Sequence, residues 1–164
     1  MGEAKLRTFT AQEVELAVAR HFDYRTNLIV PNVTSGMNLD YEADIVVLRP
    51  SGWAIEVEIK VSAADIRADL RKKHQHDSQM FKELWFAVPE ALKDDPNIPD
   101  RAGILSVRET NDGAIRARQV RRAQRRKDAV KLQPKEVTQL YRIASMRTWK
   151  LKNDIAKMKA KKGK

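Results

Sequence analysis

The sequence predicts an α/β fold built on a mixed β-sheet. Three observations carry that reading. Two period-two segments, EADIVVLR (42–49) and WAIEVEIKV (53–61), are joined by a short Pro-Ser-Gly turn. A helical stretch, SAADIRADLRKKH (62–74), follows at once and leads into an apolar run, ELWFAVP (83–89). A strand–helix–strand unit of this kind closes as a right-handed crossover between parallel strands that are neighbours or near-neighbours.

The elements follow in chain order. TAQEVELAVARHF (10–22) reads as a helix: Thr10 is its N-cap, Glu13 completes a capping box, and Val14, Ala17 and Val18 form the apolar stripe. TNLIVPNV (26–33) is a strand that ends near Pro31, and SGMNLD (35–40) is a loop. In the helix at 62–74, Ser62 is the N-cap and Asp65 stands at the capping-box position. ELWFAVP is apolar almost throughout, as a strand buried on both faces should be. AGILSVRE and GAIRARQV flank TNDG, a hairpin turn. PKEVTQLYRIASMRTWKLKNDIAKMK (134–159) reads as one long helix with Pro134 in its first turn and Val137, Leu140, Ala144, Thr148, Leu151, Ile155 and Met158 on one stripe. The final KAKKGK is expected to be disordered. The chain divides into a core at 1–120 and, at 121–164, a basic connector, amphipathic helix and tail.

Composition narrows the class. The 164 residues suit one domain and include no cysteine, so disulfides and thiolate metal sites are excluded. There is no signal-peptide pattern and no apolar run of about 18 residues, which predicts a soluble, cytoplasmic protein with no membrane partner. The net charge is +10 and is unevenly spread. Residues 1–113 hold 14 Lys and Arg against 19 Asp and Glu, a net of −5; residues 114–164 hold 18 against 3, a net of +15. A basic block of that kind fits a polyanion, and nucleic acid is the commonest. A merely solubilising tail is the alternative.

The Pro50-Ser51-Gly52 turn sets a register. Pro suits a negative φ at the first loop position and Gly a positive φ at the third, so a three-residue loop closes on Arg49 and Trp53. Asp44 then stands opposite Glu58, Glu42 opposite Lys60, and Val46 opposite Glu56. A two-residue loop would instead set Asp44 on the wrong face. With the three-residue loop, Glu42, Asp44, Glu56, Glu58 and Lys60 share one face, while Ile45, Val47, Ile55, Val57 and Ile59 fill the other. Two carboxylates about 4 Å apart repel by roughly 4 kcal/mol at an effective dielectric near 20. A shared proton, salt bridges with Lys60 or an Arg, or a divalent cation would offset that; so would a solvent-washed sheet face.

Asp44, thirteen residues, then Glu58-Ile59-Lys60 resembles the PD-(D/E)xK nuclease superfamily, whose core runs helix, three strands, helix, strand. The stretch EIKVSAADIRADLRKKH…ELWFAVP is similar to the MmcB-related DNA-repair branch and, more broadly, to Holliday-junction-resolvase-like nucleases. The resemblance covers roughly residues 10–110. Ala43 stands where many members have Pro. The resemblance implies a restriction-endonuclease-like fold and Mg²⁺- or Mn²⁺-dependent cleavage of DNA in repair, recombination or phage DNA processing. It implies that Asp44, Glu58 and the Ile59 carbonyl hold the metal, that Lys60 orients or deprotonates the attacking water, and that Glu13, or after it Glu15, joins the site. A fold-retaining DNA-binding accessory protein that cleaves little is the alternative. A structural or regulatory nucleic-acid-binding protein is a third. Glu42 and Glu56 lie outside the motif.

Phosphate contacts are expected from Arg116, Arg118, Arg121, Arg122, Arg125 and Arg126, with Arg116 and Arg118 on one strand face. Lys72 and Lys73 suit either phosphate contact or the end of the helix dipole. His74 and His76 are too close in sequence to act as two helical metal ligands on one face. Gln75 and Gln79 are read as near the site, and Asn38 and Asp40 as near substrate. The long C-terminal helix could pair two copies.

Overall fold

A computed structural model describes residues 7–34, 37 and 39–162. Its centre is a six-stranded mixed sheet whose strands lie in chain order: β1 (Leu28–Val33), β2 (Ala43–Leu48), β3 (Ala54–Ile59), β4 (Phe81–Pro89), β5 (Gly103–Glu109) and β6 (Ile115–Arg121). The β1–β2, β2–β3 and β5–β6 pairs are antiparallel, and β3–β4 and β4–β5 are parallel. Three helices complete it: α1 (Ala11–His21), α2 (Ala63–Asp69) and α3 (Pro134–Lys162). The chain is therefore α/β, and α2 makes the expected crossover between parallel neighbours β3 and β4.

The Pro-Ser-Gly turn forms as its chemistry requires. Arg49 N–H donates to the Trp53 carbonyl at 3.0 Å, Gly52 N–H donates to Arg49 at 2.9 Å, and Gly52 has φ +87°. The register follows, with Ile45 opposite Val57 and Val46 opposite Glu56. The β5–β6 turn repeats the design: Thr110 N–H donates to Ala114 at 2.8 Å and Gly113 has φ +76°.

Strand alternation then sorts the core. On one face, Ile45, Val47, Ile55, Val57, Trp85, Ala87, Leu105 and Val107 pack beneath Val14, Ala17 and Val18 of α1. On the other face there are two apolar patches. Val30, Val46, Leu48 and Ala54 meet Leu140 and Ile143 of α3. Leu84, Phe86, Val88 and Ile104 meet Ile66 of α2. Fully buried side chains such as Phe86 and Ile66 each contribute roughly 1.5–3 kcal/mol. Glu56 and Glu58 also point to this second face, among the buried residues that cover it.

Four boundaries differ from the sequence reading. β1 continues through Pro31, which an edge strand tolerates because its N–H side needs no partner. Glu42 precedes β2 and accepts a hydrogen bond from Asn32 at 3.1 Å, so it is not the partner of Lys60. α2 ends at Asp69, not at residue 74. α3 runs through Lys162, so residues 159–162, expected as disordered tail, are helical; 163–164 lie outside the described residues. The stripe of α3 packs only in its first part: Leu140 is buried, whereas Leu151 and Met158 are exposed. Among the described residues no helix is long and apolar enough to cross a membrane.

Candidate functional site

β3 ends in a cluster of buried charge. Glu56 and Glu58 are both 0% exposed and Lys60 is 6% exposed. The acidic face is thus not washed by solvent, which corrects that reading of it. Lys60 Nζ donates to Glu58 Oε2 at 2.7 Å and lies 2.9 Å from Asp69 Oδ1. Asp69 is the last residue of α2, and Lys72 Nζ reaches it at 2.8 Å while standing 3.7 Å from Glu58 Oε2.

The chain leaves α2 through a turn that no Gly or Pro announces. Gln75 and His76 both adopt positive φ, 47° and 53°. Left-handed backbone costs a non-glycine residue about 1–2 kcal/mol, so the surroundings must hold it. They do: Arg101 Nη2 donates to the Gln75 carbonyl at 2.6 Å and to the His76 carbonyl at 3.2 Å. Gln75 Nε2 itself donates back to the Leu70 carbonyl at 3.0 Å. The reversal turns the His76 ring inward, 3% exposed, between Glu56 (Nδ1 to Oε1, 2.9 Å) and Asp69 (Nε2 to Oδ2, 2.6 Å). Tyr41 donates its hydroxyl to Glu56 Oε2 at 3.0 Å and stacks on His74 at 3.8 Å between ring centroids.

The cluster shifts its own titrations. Burial works against the His76 imidazolium, but its bonds to Asp69 and Glu56 outweigh that and push the group up to about 9. Burial likewise opposes the Lys60 ammonium, and Glu58 and Asp69 more than compensate, raising it above the ordinary lysine value. Asp69 is held well below the usual carboxylate range: burial raises it, and His76, Lys72 and Lys60 together outweigh burial. Burial, then the charge of Glu58, raises the Asp44 carboxyl.

Asp44 is half-buried at the start of β2 and accepts the Ile59 N–H at 2.8 Å. That bond ties it to the strand end carrying Glu58 and Lys60. Glu13 does not join them. It is the capping-box acid of α1, accepting from Thr10 N at 2.9 Å and pairing with Arg7 at 2.6 Å. Glu15 is the acid of α1 that interacts with Asp44; burial first, then Asp44, raises its carboxyl.

The basic residues divide. Arg121 is engaged by two carbonyls, donating from Nε to Ala102 at 2.8 Å and from Nη2 to Pro99 at 2.6 Å. Arg126 pairs with Asp77 at 2.5 Å and Asp128 at 2.7 Å. Both guanidiniums, expected as phosphate contacts, are thus already engaged by acceptors of the protein itself. Arg125 is mostly exposed but leans on Glu83 at 3.3 Å. Lys72 is half-exposed and reaches Asp69 and Glu58 from the rim of the buried cluster, whereas Lys73 is exposed. Arg116, Arg118 and Arg122 are exposed. In register, Glu58 opposes Phe86, Phe86 opposes Ile104, and one step on Val88 opposes Ser106, which opposes Arg118. Opposed residues share a sheet face, so Arg116 and Arg118 stand on the face that carries Glu56 and Glu58. At about 4.8 Å per strand, β6 lies roughly 14 Å from β3.

The sequence reading missed His76, Asp69 and Tyr41, and left Glu56 outside the site. The alternation EVE did place Glu56 on the face of Glu58. For His76 the spacing argument assumed a helix that has already ended. Asp40 is exposed, Gln79 donates to Asp128 at 3.1 Å, and Asn38 lies outside the described residues.

No protein-family model and no curated protein matches the chain. Its fold is similar to that of a solved structure, the SPO1766 protein of unknown function from Silicibacter pomeroyi: 23% identity over 93% of each chain, with a TM-score of 0.64. That likeness is one of fold.

Proposed function

We propose that this chain is a metal-dependent DNA nuclease with a restriction-endonuclease-like core. The observation that carries the reading is the strand-end group of Asp44, Glu58 and Lys60, set on antiparallel neighbours by the Pro-Ser-Gly turn. Asp44, Glu58 and the Ile59 carbonyl would hold Mg²⁺ or Mn²⁺. The donor set fits a hard divalent cation, and Glu58 Oε1 is a buried oxygen with no hydrogen-bond partner. When bound, the cation supplies positive charge to a phosphoryl oxygen and acidifies a water. Lys60 holds Glu58 Oε2 and adds positive charge beside the scissile phosphate. Exposed Arg116 and Arg118, on the same sheet face, supply salt-sensitive contacts to the DNA backbone.

One observation favours a second reading, a DNA-binding accessory protein of the same fold. Lys60 is fixed between Glu58 and Asp69, and both glutamates are sealed from solvent. A side chain held so firmly is poorly placed to serve a water. The two readings separate on labelled single-stranded, duplex, flap and junction DNA with Mg²⁺ or Mn²⁺. The nuclease reading expects cleavage that falls about 100-fold or more in Asp44→Asn and Lys60→Ala while DNA is still bound. Binding without cleavage in the wild type selects the accessory reading.

A further inference from the structure

We infer that Glu56 and His76 join Glu58 in a divalent-metal seat that shares Glu58 with the proposed strand-end site, with a nitrogen ligand that favours Mn²⁺ or Zn²⁺ over Mg²⁺. The inference rests on the geometry of these three residues and stands or falls separately from the nuclease reading.

One potential ligand atom from each residue comes within 4.8 Å of the other two. His76 Nδ1 is 2.9 Å from Glu56 Oε1 and 3.7 Å from Glu58 Oε1. Ligands about 2.1 Å from one ion stand roughly 3.0–3.4 Å apart, so these separations need only small adjustment. Glu58 Oε1 is the independent sign of a ligand. It belongs to a fully buried carboxylate, faces His76 Nδ1, and has no hydrogen-bond partner. A buried unpaired carboxylate oxygen is costly to leave that way.

The far atom of each ligand is already held. Lys60 Nζ binds Glu58 Oε2 at 2.7 Å, the Tyr41 hydroxyl binds Glu56 Oε2 at 3.0 Å, and Asp69 binds His76 Nε2 at 2.6 Å. Metal-bound histidines commonly give their second ring N–H to a carboxylate, which fixes the tautomer and turns the other nitrogen to the ion. Asp69 does this here, and the ion would take the place of the contact that Nδ1 now makes with Glu56 Oε1. Arg101 adds rigidity by clamping the left-handed backbone at Gln75 and His76. Mg²⁺ prefers all-oxygen surroundings and retains its waters, whereas imidazole suits Mn²⁺, Zn²⁺ and their neighbours.

The test is made on the full chain after chelator treatment. Mn²⁺ titrated by calorimetry should bind at least about tenfold tighter than Mg²⁺. Pulsed electron paramagnetic resonance of the Mn²⁺-loaded chain should show a directly bonded ¹⁴N. His76→Gln should remove the nitrogen signal and weaken Mn²⁺ binding by about tenfold or more, and His74→Gln should keep both. If His76→Gln does not fold, Glu56→Gln should give the same tenfold loss. A wild-type Mn²⁺ complex without bonded nitrogen, or a signal that follows His74, overturns the inference. Cleavage does not enter any of these readouts: absent cleavage with bonded nitrogen sinks only the nuclease reading, and cleavage without bonded nitrogen sinks only this one.

Discussion

Glu56 and His76 stand twenty residues apart in the chain and meet at 2.9 Å in a space closed to solvent. The contact joins the middle of β3 to a turn beyond α2. Around it, Glu58 and Asp69 face Lys60, Lys72 and the imidazole itself. Charges so buried persist only when each is matched, because desolvation costs several kcal/mol per ion. The cluster is therefore a unit, and its members should not behave independently.

Lys60 tests that unity. Lys60→Met keeps the volume but leaves Glu58 and Asp69 without the ammonium between them. In metal-free protein it should cost about 3–5 kcal/mol in urea unfolding, the usual penalty for breaking a buried pair. Adding Glu58→Gln should restore part of the loss, giving a coupling of about 0.5–3 kcal/mol. Strict additivity would show that the pair is not coupled.

His76 gives the pH dependence of the metal-free chain. Its folded-state pKa, about 9, lies above the unfolded value of roughly 6.5. Its contribution is thus complete below about pH 6.5 and is lost as pH rises through about 9. The groups facing it are Glu56, Glu58, Asp69, Tyr41 and His74, and Lys60 and Lys72 bind the other oxygen of Asp69. His74 is shifted the other way, lowered by burial and then by the charges of His76 and Lys72, so its effect falls below that window. Thermal unfolding in chelator should drop between pH 6.5 and 9, and His76→Gln should flatten that limb. A wild-type profile already flat there would refute the assignment.

Much of this was legible because it is local. The φ demands of Pro50 and Gly52 fix the loop, the loop fixes the register, and alternation then places Asp44, Glu58 and Lys60. The capping boxes at Thr10 and Ser62 are equally local. The end of α2 was not legible. Residues 70–76 include no helix-breaking residue, and the turn depends on Arg101 and on the pull of Lys60, Lys72 and His76 on Asp69. Those partners are distant in sequence. For the same reason the arginine block announced charge but not which arginines were already engaged.

Two glycines separate conformation from packing. Gly52 has φ +87°, and the nearest atoms a Cβ there would meet are those of the flexible Lys131 side chain, at 3.4 Å and beyond. Gly52→Ala should cost about 1–2 kcal/mol, from backbone alone. Gly103 lies opposite Trp85 in the β4–β5 ladder, and a Cβ there would fall 2.6 Å from Trp85 Cδ2. The indole is buried and its Nε1 is held by Glu83 at 3.0 Å, so it cannot retreat freely. Gly103→Ala should cost more, at or above the roughly 1–3 kcal/mol of an overpacked core, with altered tryptophan fluorescence. Equal losses at the two sites would contradict this account of Trp85.

Arg118 and Arg121 lie three residues apart and should fail in different ways. Arg118 is exposed on the sheet face of the acidic cluster, whereas Arg121 folds back onto the carbonyls of Ala102 and Pro99. Arg118→Ala should weaken DNA binding on every sequence, lower the slope of log affinity against log salt by about 1, and leave the melting temperature unchanged. Arg121→Ala removes charge-assisted bonds to two carbonyls and should cost about 1–3 kcal/mol of stability. Its salt slope should match the wild type, because that guanidinium is not offered to phosphate. Filter binding across a salt series, paired with thermal unfolding, reads both quantities on both variants. A reduced salt slope in Arg121→Ala would return that guanidinium to the phosphate contacts, and an unchanged one in Arg118→Ala would remove Arg118 from the proposed DNA-binding face.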